Sequence, residues 1–373
     1  MVKEINVGLI GYSFMGKAHS HAYYDVDKFF KCKAVPVMKA LCGRDRKKVK
    51  EVADNWGWES YETDWRKLVT RKDIDLIDIS TPNDSHMDIA VAAAKAGKHI
   101  FCEKPMAMNL PEARKMLKAV QRAKVKHMMC FNYRRVPAIG LMKRLIEEGK
   151  IGKIYHIRAL YLQDWIIDPK FPLVWRLDKT KCGSGVLGDL GAHIIDIARY
   201  LVGEFSEISA MTQTFIKERN KPDRKGKGRV TVDDAALFLA RFEKGAVGSF
   251  EATRFAAGRK NAQRIEINGS KGSLVFELER MNELKYYSRA DKNYESGFKI
   301  ILVTKHEHPY INAWWPDGHI IGYEHTFVNT IYDMLNSIAD NKMPVPSFVD
   351  GLKCQEVLEA AEKSAKTKKW VKI

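Results

Sequence analysis

The 373-residue sequence predicts an α/β protein in two parts: a parallel sheet flanked by helices over 1–134, then an α/β domain built on a mainly antiparallel sheet over 135–373. Three observations predict it. Short apolar runs alternate with helix-period segments through the first third, the pattern of βαβ units. The first apolar run ends in a glycine turn that opens a helix. Beyond Gly149 the apolar runs alternate with polar residues and are separated by Gly-rich turns such as EKGA and NGSKGS, as in an antiparallel sheet. At this length one hydrophobic core stops growing, so two domains are the default.

The elements follow in order. INVGLIG (5–11) reads as a strand, and a helix runs from Met15 to Phe30. AVPVMKALC (34–42) is the second strand, followed by a charged helix from Asp45 to Asn55. IDLIDIS (74–80) is the third strand, and HMDIAVAAAKAG (86–97) a helix ended by Gly97. KHIFCEKP (98–105), a helix over 111–124 with Pro111 at its start, and KHMMCFNY (126–133) complete the alternation. A helix over 137–148 leads into the long alternating run KIYHIRALYLQDW (153–165) and a helix over 188–202. SEISAMTQTFI, DDAALFLARF, AVGSFEATR, QRIEING and GSLVFEL then supply strands, two helices (321–340 and 349–366) follow, and WVKI adds a terminal strand.

Composition narrows the function. Hydrophobic residues at 45% and charged residues at 29% describe a globular chain. The formal net charge of +17 admits nucleic acid, an acidic surface or an anionic cofactor as partner. The densest basic run, KERNKPDRKGKGR (217–229), holds no aromatic residue and reads as a solvated loop, so nucleic acid is not expected. The six cysteines show no CxxC and no zinc-finger spacing to His, and read as buried thiols in a reducing compartment. No run has the length of a membrane span and the first apolar run is too short for a signal peptide, so a soluble cytoplasmic protein is expected.

Four segments carry candidate chemistry. GLIGYSFMG places Gly11, Ser13 and Gly16 in the positions of GxGxxG between a strand and a helix, where a dinucleotide pyrophosphate sits on the helix N-terminus. Ser13 departs from the glycine of that pattern. The second strand ends LCGRD, with Gly43 where an acid would hold the ribose hydroxyls; Arg44 suits a 2′-phosphate, and Asp45 either reaches the ribose or caps the next helix, so NAD and NADP both remain open. The third and fourth strands end in STPNDSH, with Thr81, Pro82, Asn83 and His86, and in CEKP, with Glu103 and Lys104; ligands of a doubly wound sheet lie beyond such strand ends. Finally, Asp189, His193 and Asp196 share one helix stripe, with Leu190, Ile194, Ile197, Ala198 and Leu201 opposite. That stripe reads as a metal site, a solvated face or a catalytic edge.

These residues carry a resemblance. The glycine turn, TPNDSH, CEKP, FNYRR and the Asp189-x3-His193-x2-Asp196 stripe, in this order over essentially the whole chain, resemble the Gfo/Idh/MocA family of NAD(P)-dependent oxidoreductases. FMGKAHSHAY, YLQDW, GSGVLGD–HIIDIARYLVGEF and PSFVDG resemble more narrowly the members that oxidise C3 of a pyranoside. The resemblance implies a Rossmann doubly wound domain, then an α/β domain with a large open antiparallel sheet used for homo-oligomer contacts, in a dimer or tetramer. It implies that Lys104, Asp189 and His193 surround the nicotinamide and the reacting carbon, that no metal takes part, and that Gly11, Ser13, Phe14, Met15, Gly43, Arg44, Thr81, Pro82, Asn83, His86, Glu103 and Lys104 hold the cofactor, with NAD favoured.

Oxidising a secondary alcohol needs a hydride acceptor, which the nicotinamide supplies, and a proton acceptor from the protein. His193 has the intrinsic range for a general base, Lys104 the charge to stabilise a developing alkoxide, and either can take the proton. Tyr133, Arg134, Gln163, Asp164, Trp165, Trp175 and Arg176 are candidates for binding a small carbohydrate, the Trp rings against C–H faces and the polar groups on hydroxyls. His19 and His21 are read as packing or capping along the first helix. Two other functions fit the same motifs: redox-assisted glycoside cleavage through a 3-keto intermediate, and a dinucleotide-binding sensor without turnover.

Overall fold

The computed structural model describes residues 2–222 and 226–373. Its strands are β1 (Lys3–Ile10), β2 (Ala34–Cys42), β3 (Tyr61–Glu62), β4 (Leu76–Ile79), β5 (His99–Cys102), β6 (His127–Met129), β7 (Ile154–Leu162), β8 (Phe205–Gln213), β9 (Glu218–Asn220), β10 (Lys227–Arg229), β11 (Ala235–Phe242), β12 (Val247–Thr253), β13 (Ala262–Gly269), β14 (Gly272–Glu277), β15 (Glu283–Ser288), β16 (Lys299–Leu302) and β17 (Val371–Lys372). Its α-helices are α1 (Phe14–Phe29), α2 (Arg46–Trp56), α3 (Trp65–Thr70), α4 (His86–Lys95), α5 (Leu110–Ala123), α6 (Pro137–Glu147), α7 (Lys179–Cys182), α8 (Ala192–Leu201), α9 (Tyr323–Ala339) and α10 (Phe348–Thr367). No helix among the described residues is long and apolar enough to cross a membrane.

The chain forms two compact units. The first ends at Arg135 and takes in Ile321–Lys353; the second comprises Val136–Ile320 and Cys354–Ile373. Sequence reading assigned 321–353 to the second domain. The structure groups it with the first because α9 lies on α1 and the strand ends: Phe30 stacks on Tyr332 at 4.3 Å, Arg135 Nε donates to Asp333 at 2.9 Å, and Asn329 donates to the Arg135 carbonyl at 3.1 Å.

In the first unit six parallel strands take the order β3-β2-β1-β4-β5-β6, the Rossmann arrangement with its switch point between β1 and β4. Helices cover both faces, so β4 and β6 are buried at every position and read as continuous apolar runs. Helix α1 buries Gly16, His19, Ser20, Tyr23 and Val26, one stripe at three- and four-residue spacing. Short β3 and α3 were not foreseen; two strand residues and six helical ones carry too little periodicity.

The second unit is built on a nine-stranded sheet of order β16-β15-β14-β13-β7-β12-β11-β8-β17. Among the described residues only β7 and β12 of this sheet pair in parallel, so it is mainly antiparallel. The alternation of β11 turns Phe238, Ala240 and Phe242 inward, where Phe238 stacks on Phe250 at 4.5 Å. WVKI does add an edge strand, pairing Val371 with Ile208. Strands β15 and β16 were missed between turn-rich segments.

The basic run 217–229 is not simply a solvated loop. Its flanks pair as β9 and β10, and Arg219 is buried, donating to the carbonyls of Ile166, Asp168 and Phe171. Residues 223–225 of the run lie outside the described residues. All six cysteines are free thiols, Cys42, Cys102 and Cys130 buried as expected.

Candidate functional site

The first unit sets three strand-end turns side by side. Backbone hydrogen bonds hold their register: Gly11 donates to the Cys42 carbonyl at 2.9 Å, Ser80 to Ile10 at 2.9 Å and Glu103 to Ile79 at 2.9 Å. Gly11 adopts φ +113°, open to glycine. At Gly16 a Cβ would stand 2.1 Å from the Gly11 carbonyl oxygen, so this turn closes only with glycine at its end. Ser13 is the N-cap of α1 but makes no side-chain cap, and the first turn holds no acidic residue. The helix start therefore keeps its N–H groups and positive dipole end for an anion. Ser13 and Phe14 are exposed there, Met15 half-buried, and Phe14 stacks on Tyr323 at 6.3 Å.

After β2, Gly43 lies against the Tyr12 ring; a Cβ would approach ring carbons to 2.0 Å, so this backbone with this ring excludes the usual acid. Arg44 is exposed beside it. Asp45 is the N-cap of α2, accepting from the Lys47 and Lys48 amides at 3.1 and 3.2 Å. Of the two roles open to it, capping is the one observed.

Thr81 and Pro82 are half-buried and Asn83 buried at the β4 turn. Two residues expected at the cofactor are committed within the protein instead. His86 is fully buried with one ring nitrogen 2.9 Å from the Thr81 carbonyl and the other 3.1 Å from the Pro105 carbonyl. Burial lowers its pKa, and the neutral ring has one N–H to donate to one of these two carbonyls. Glu103 is buried, with one oxygen 3.1 Å from His19 Nε2 and the other accepting the Lys104 amide at 3.0 Å. Lys104 follows, half-buried.

Tyr133 and Arg134 are buried in the same unit. The Arg134 guanidinium pairs with Asp350 at 3.2 Å, and Asp350 also accepts the Ser347 amide at 2.8 Å. Arg134, expected at the sugar, thus anchors the PSFVDG segment; Tyr133 lies edge-on to Tyr323 at 6.3 Å.

The second unit carries the Asp/His stripe, with a change in pitch. Leu187–Gly191 is a π-helical turn leading directly into α8, so Asp189 is turned away from the position an unbroken α-helix would give it. Asp233 anchors this turn, accepting the Gly185 and Leu187 amides at 2.8 and 2.7 Å. A Cβ on Gly185 would sit 2.0 Å from the Asp233 carbonyl oxygen, which explains the glycine at the end of GSG. The solvated-face reading fails: His193 is 8% and Asp196 1% exposed. Asp196 belongs to a buried charge group with Arg199, whose Nε pairs with Glu204 at 2.9 Å. Asp189, by contrast, is partly exposed.

Around them the alternation of β7 continues past its end. Tyr161, Gln163 and Trp165 share a face. The Tyr161 hydroxyl and the Gln163 amide both donate to Asn261 Oδ1, at 2.7 and 2.9 Å, and Trp165 Nε1 donates to Gln163 Oε1 at 2.8 Å. The Tyr161 ring packs 5.8 Å from His193. Asp164 points the other way, accepting from Lys260 at 2.6 Å and from the Gly258 amide at 3.0 Å. It fixes that loop rather than joining the group. Trp165 and Trp175 pack on a small core of Ile166, Leu177, Cys182, Val230 and Val232, and the Arg176 guanidinium stacks 4.3 Å from the Trp175 ring.

Sequence reading missed Arg254. It is 1% exposed, its Nη2 donates to Asp189 Oδ2 at 2.7 Å, and its guanidinium lies 5.2 Å from the Trp165 ring centre. Its Nε and Nη1 have no hydrogen-bond partner among the described residues. The signal was an arginine immediately after the apolar run of β12, where a charge has no reason to be buried unless paired.

Residues 5–131 match the model of the oxidoreductase family with an NAD-binding Rossmann fold, and 139–275 match the GFO/IDH/MocA C-terminal domain. The whole chain is 44% identical to levoglucosan dehydrogenase of Pseudarthrobacter phenanthrenivorans, covering 99% of it. The chain belongs to the Gfo/Idh/MocA family. Among solved structures, an oxidoreductase domain protein from Kribbella flavida superimposes with TM-score 0.97 at 51% identity, covering 100% of this chain and 99% of that one. A levoglucosan dehydrogenase in complex with NADH and levoglucosan gives TM-score 0.97 at 45% identity with the same coverage.

Membership makes the first unit an NAD-binding Rossmann domain, and its residues fit that cofactor. The uncapped start of α1 suits a diphosphate, and the Gly11–Gly16 closure is the approach such a group needs. Gly16→Ala is therefore expected to weaken NADH binding by more than about tenfold, measured by fluorescence titration. Unchanged affinity in a folded variant would show that the turn does not cradle the dinucleotide.

Proposed function

We propose that this Gfo/Idh/MocA protein is an NAD-dependent dehydrogenase of a pyranose or glycoside. It removes a hydride from C3 and leaves a ketosugar. The observation that carries this reading is the full-length likeness to levoglucosan dehydrogenase, whose solved structures bear NADH with levoglucosan in one case and NADH with L-sorbose in another.

Bound NAD supplies the hydride acceptor. The protein handles the rest. Lys104 and His193 bind the reacting hydroxyl, and one of them takes its proton as the C–H bond is lost, so the alcohol becomes a ketone with atoms and electrons balanced. Asp189, held by Arg254, binds a neighbouring hydroxyl. Gln163, fixed by Asn261 and Trp165, and the rings of Trp165 and Trp175 orient the sugar. Thr81, Pro82, Asn83, Gly43 and Arg44 complete the dinucleotide site beside the glycine turn.

Purified protein with NAD or NADP and a panel of levoglucosan, glucose, glucosides and inositols tests this by absorbance of the reduced nicotinamide. NADH accumulating in step with a keto product is expected. Cleavage of a glycoside without net NADH would replace it with redox-assisted cleavage, and NADH binding without turnover of any sugar would make the protein a sensor.

We also propose self-association through the outer face of the second unit's sheet. Met211 and Leu239 on that face are 59% and 55% exposed, and Leu237 joins them. Leu239→Asp is expected to shift the protein to monomer in sedimentation; an unchanged mass would remove this face from the interface.

A further inference from the structure

A buried charged chain in the first unit ends at the Lys104 backbone amide. His19 of α1 is fully buried, with Nδ1 3.0 and 2.9 Å from the two oxygens of Asp78 in β4. Its Nε2 is 3.1 Å from Glu103 Oε1. Both ring nitrogens therefore face carboxylate oxygens. A neutral imidazole has one N–H and would turn a lone pair toward the other carboxylate; only the imidazolium satisfies both. The Tyr23 hydroxyl donates to Asp78 at 2.9 Å, and the Cys130 thiol lies 3.7 Å from His19 Nε2. The rings of Phe101 and Phe327 pack on His19 at 5.3 and 5.5 Å. Glu103's second oxygen accepts the Lys104 amide at 3.0 Å.

We propose that His19 is a positioning residue: as an imidazolium bridging Asp78 and Glu103, it fixes the carboxylate that holds the Lys104 peptide, and so sets where the Lys104 ammonium stands. This rests on the role proposed for Lys104. The chain runs from the sheet interior (Asp78) through α1 (His19) to the β5 turn (Glu103), so three elements locate one backbone amide. Charge supports the geometry. Burial works against the His19 cation, but the charge and hydrogen bond of Asp78, together with Cys130, outweigh it and the pKa stands well above the ordinary value. Burial opposes ionisation of Glu103 too, yet the hydrogen bond and charge of His19, with the charge of Lys104, hold it below the usual carboxylate range. The Cys130 thiol is pushed up by burial and stays protonated.

The raised His19 value gives a signed expectation. Folding takes up its proton, so its stabilisation is complete below about pH 6.5. It is lost as pH rises through the folded value. The test compares wild type with His19→Gln and, as a milder second variant, Asp78→Asn. Amide exchange across 103–106, thermal unfolding against pH and NADH binding need no sugar; kcat and its pH profile do.

Both variants are expected to speed exchange at the Lys104 amide. Wild type's margin in Tm over His19→Gln should shrink from pH 6 to pH 9. In His19→Gln, kcat should fall by roughly 10²-fold, the scale for a small misplacement of a reacting group. Its pH profile should move to higher pH, because two carboxylates have lost the cation between them. Unchanged exchange, a pH-independent Tm margin, or kcat and pH profile equal to wild type would overturn the proposal. So would stoichiometric metal in the purified protein, since a metal on this group needs neutral imidazole. If wild type turns over no sugar, the proposed function fails while exchange and pH-dependent unfolding still decide the His19 bridge.

Discussion

Lys104→Met and His193→Ala are each expected to lower kcat by about 10³-fold, the middle of the range for losing a positioned acid–base group. NADH affinity should be nearly unchanged in His193→Ala, because His193 belongs to the second unit and the dinucleotide turns to the first. The pair also separates two roles. The proton acceptor's variant loses the pH dependence of kcat, because the titrating group is gone. The variant of its partner keeps that dependence at a lower plateau. Lys104 is half-buried and His193 buried but not sealed at 8% exposure, so circular dichroism and thermal unfolding of both variants accompany the kinetics to show that they fold. Steady-state kinetics over pH 6–10 measure this; a kcat within fivefold of wild type in both would remove the catalytic assignment.

The second large effect is expected at Arg254. Its guanidinium is buried, yet Nε and Nη1 have no hydrogen-bond partner among the described residues. A residue kept for stability alone would not leave two donors unmet, because a buried polar group without a partner is costly. Its Nη2 pairs with Asp189 at 2.7 Å, and that contact fixes the carboxylate one turn before His193. Arg254→Met is expected to lower kcat/KM by roughly 10²-fold, with Arg254→Lys recovering part of it.

Its stability signature is distinct. Burial raises the carboxyl pKa values of Asp233 and Asp234, and the nearby Arg254 charge partly offsets this. Without Arg254 both are raised further. A carboxyl raised in the folded state binds its proton on folding, so the variant's loss of Tm should grow as pH rises above the ordinary carboxylate range. Calorimetry against pH reads this. A kcat/KM equal to wild type, or a Tm loss that shrinks with rising pH, would contradict the assignment.

How much of this was legible in the sequence follows from the range of the forces involved. The strand–turn–helix at Gly11–Gly16, the alternation of β7 and β11 and the Asp189/His193 spacing are local, and local periodicity reports them well. Glu103, His86, Arg134 and Asp164 were recognised as polar residues at strand ends, but spacing does not say which way such a side chain turns. Each is occupied by a protein partner that folding brings near: His19 meets Asp78 across 59 positions and Glu103 across 84. Arg254 escaped notice for the same reason, its partner Asp189 lying 65 positions away. The π-turn at Leu187–Gly191 also has no sequence period of its own, since it exists because Asp233 holds the Gly185 and Leu187 amides. The grouping of 321–353 with the Rossmann unit depends on the docking of α9 on α1, which no helix announces in its own sequence.

The claim at the centre is that hydride leaves C3 of a bound pyranoside for the dinucleotide. Levoglucosan carrying deuterium at C3 tests it directly, with the reduced cofactor analysed for label. The account predicts one deuterium per NADH at nicotinamide C4, a 3-keto product, and a slower rate than with unlabelled sugar. NADH free of deuterium, formed at the unlabelled rate, would contradict it.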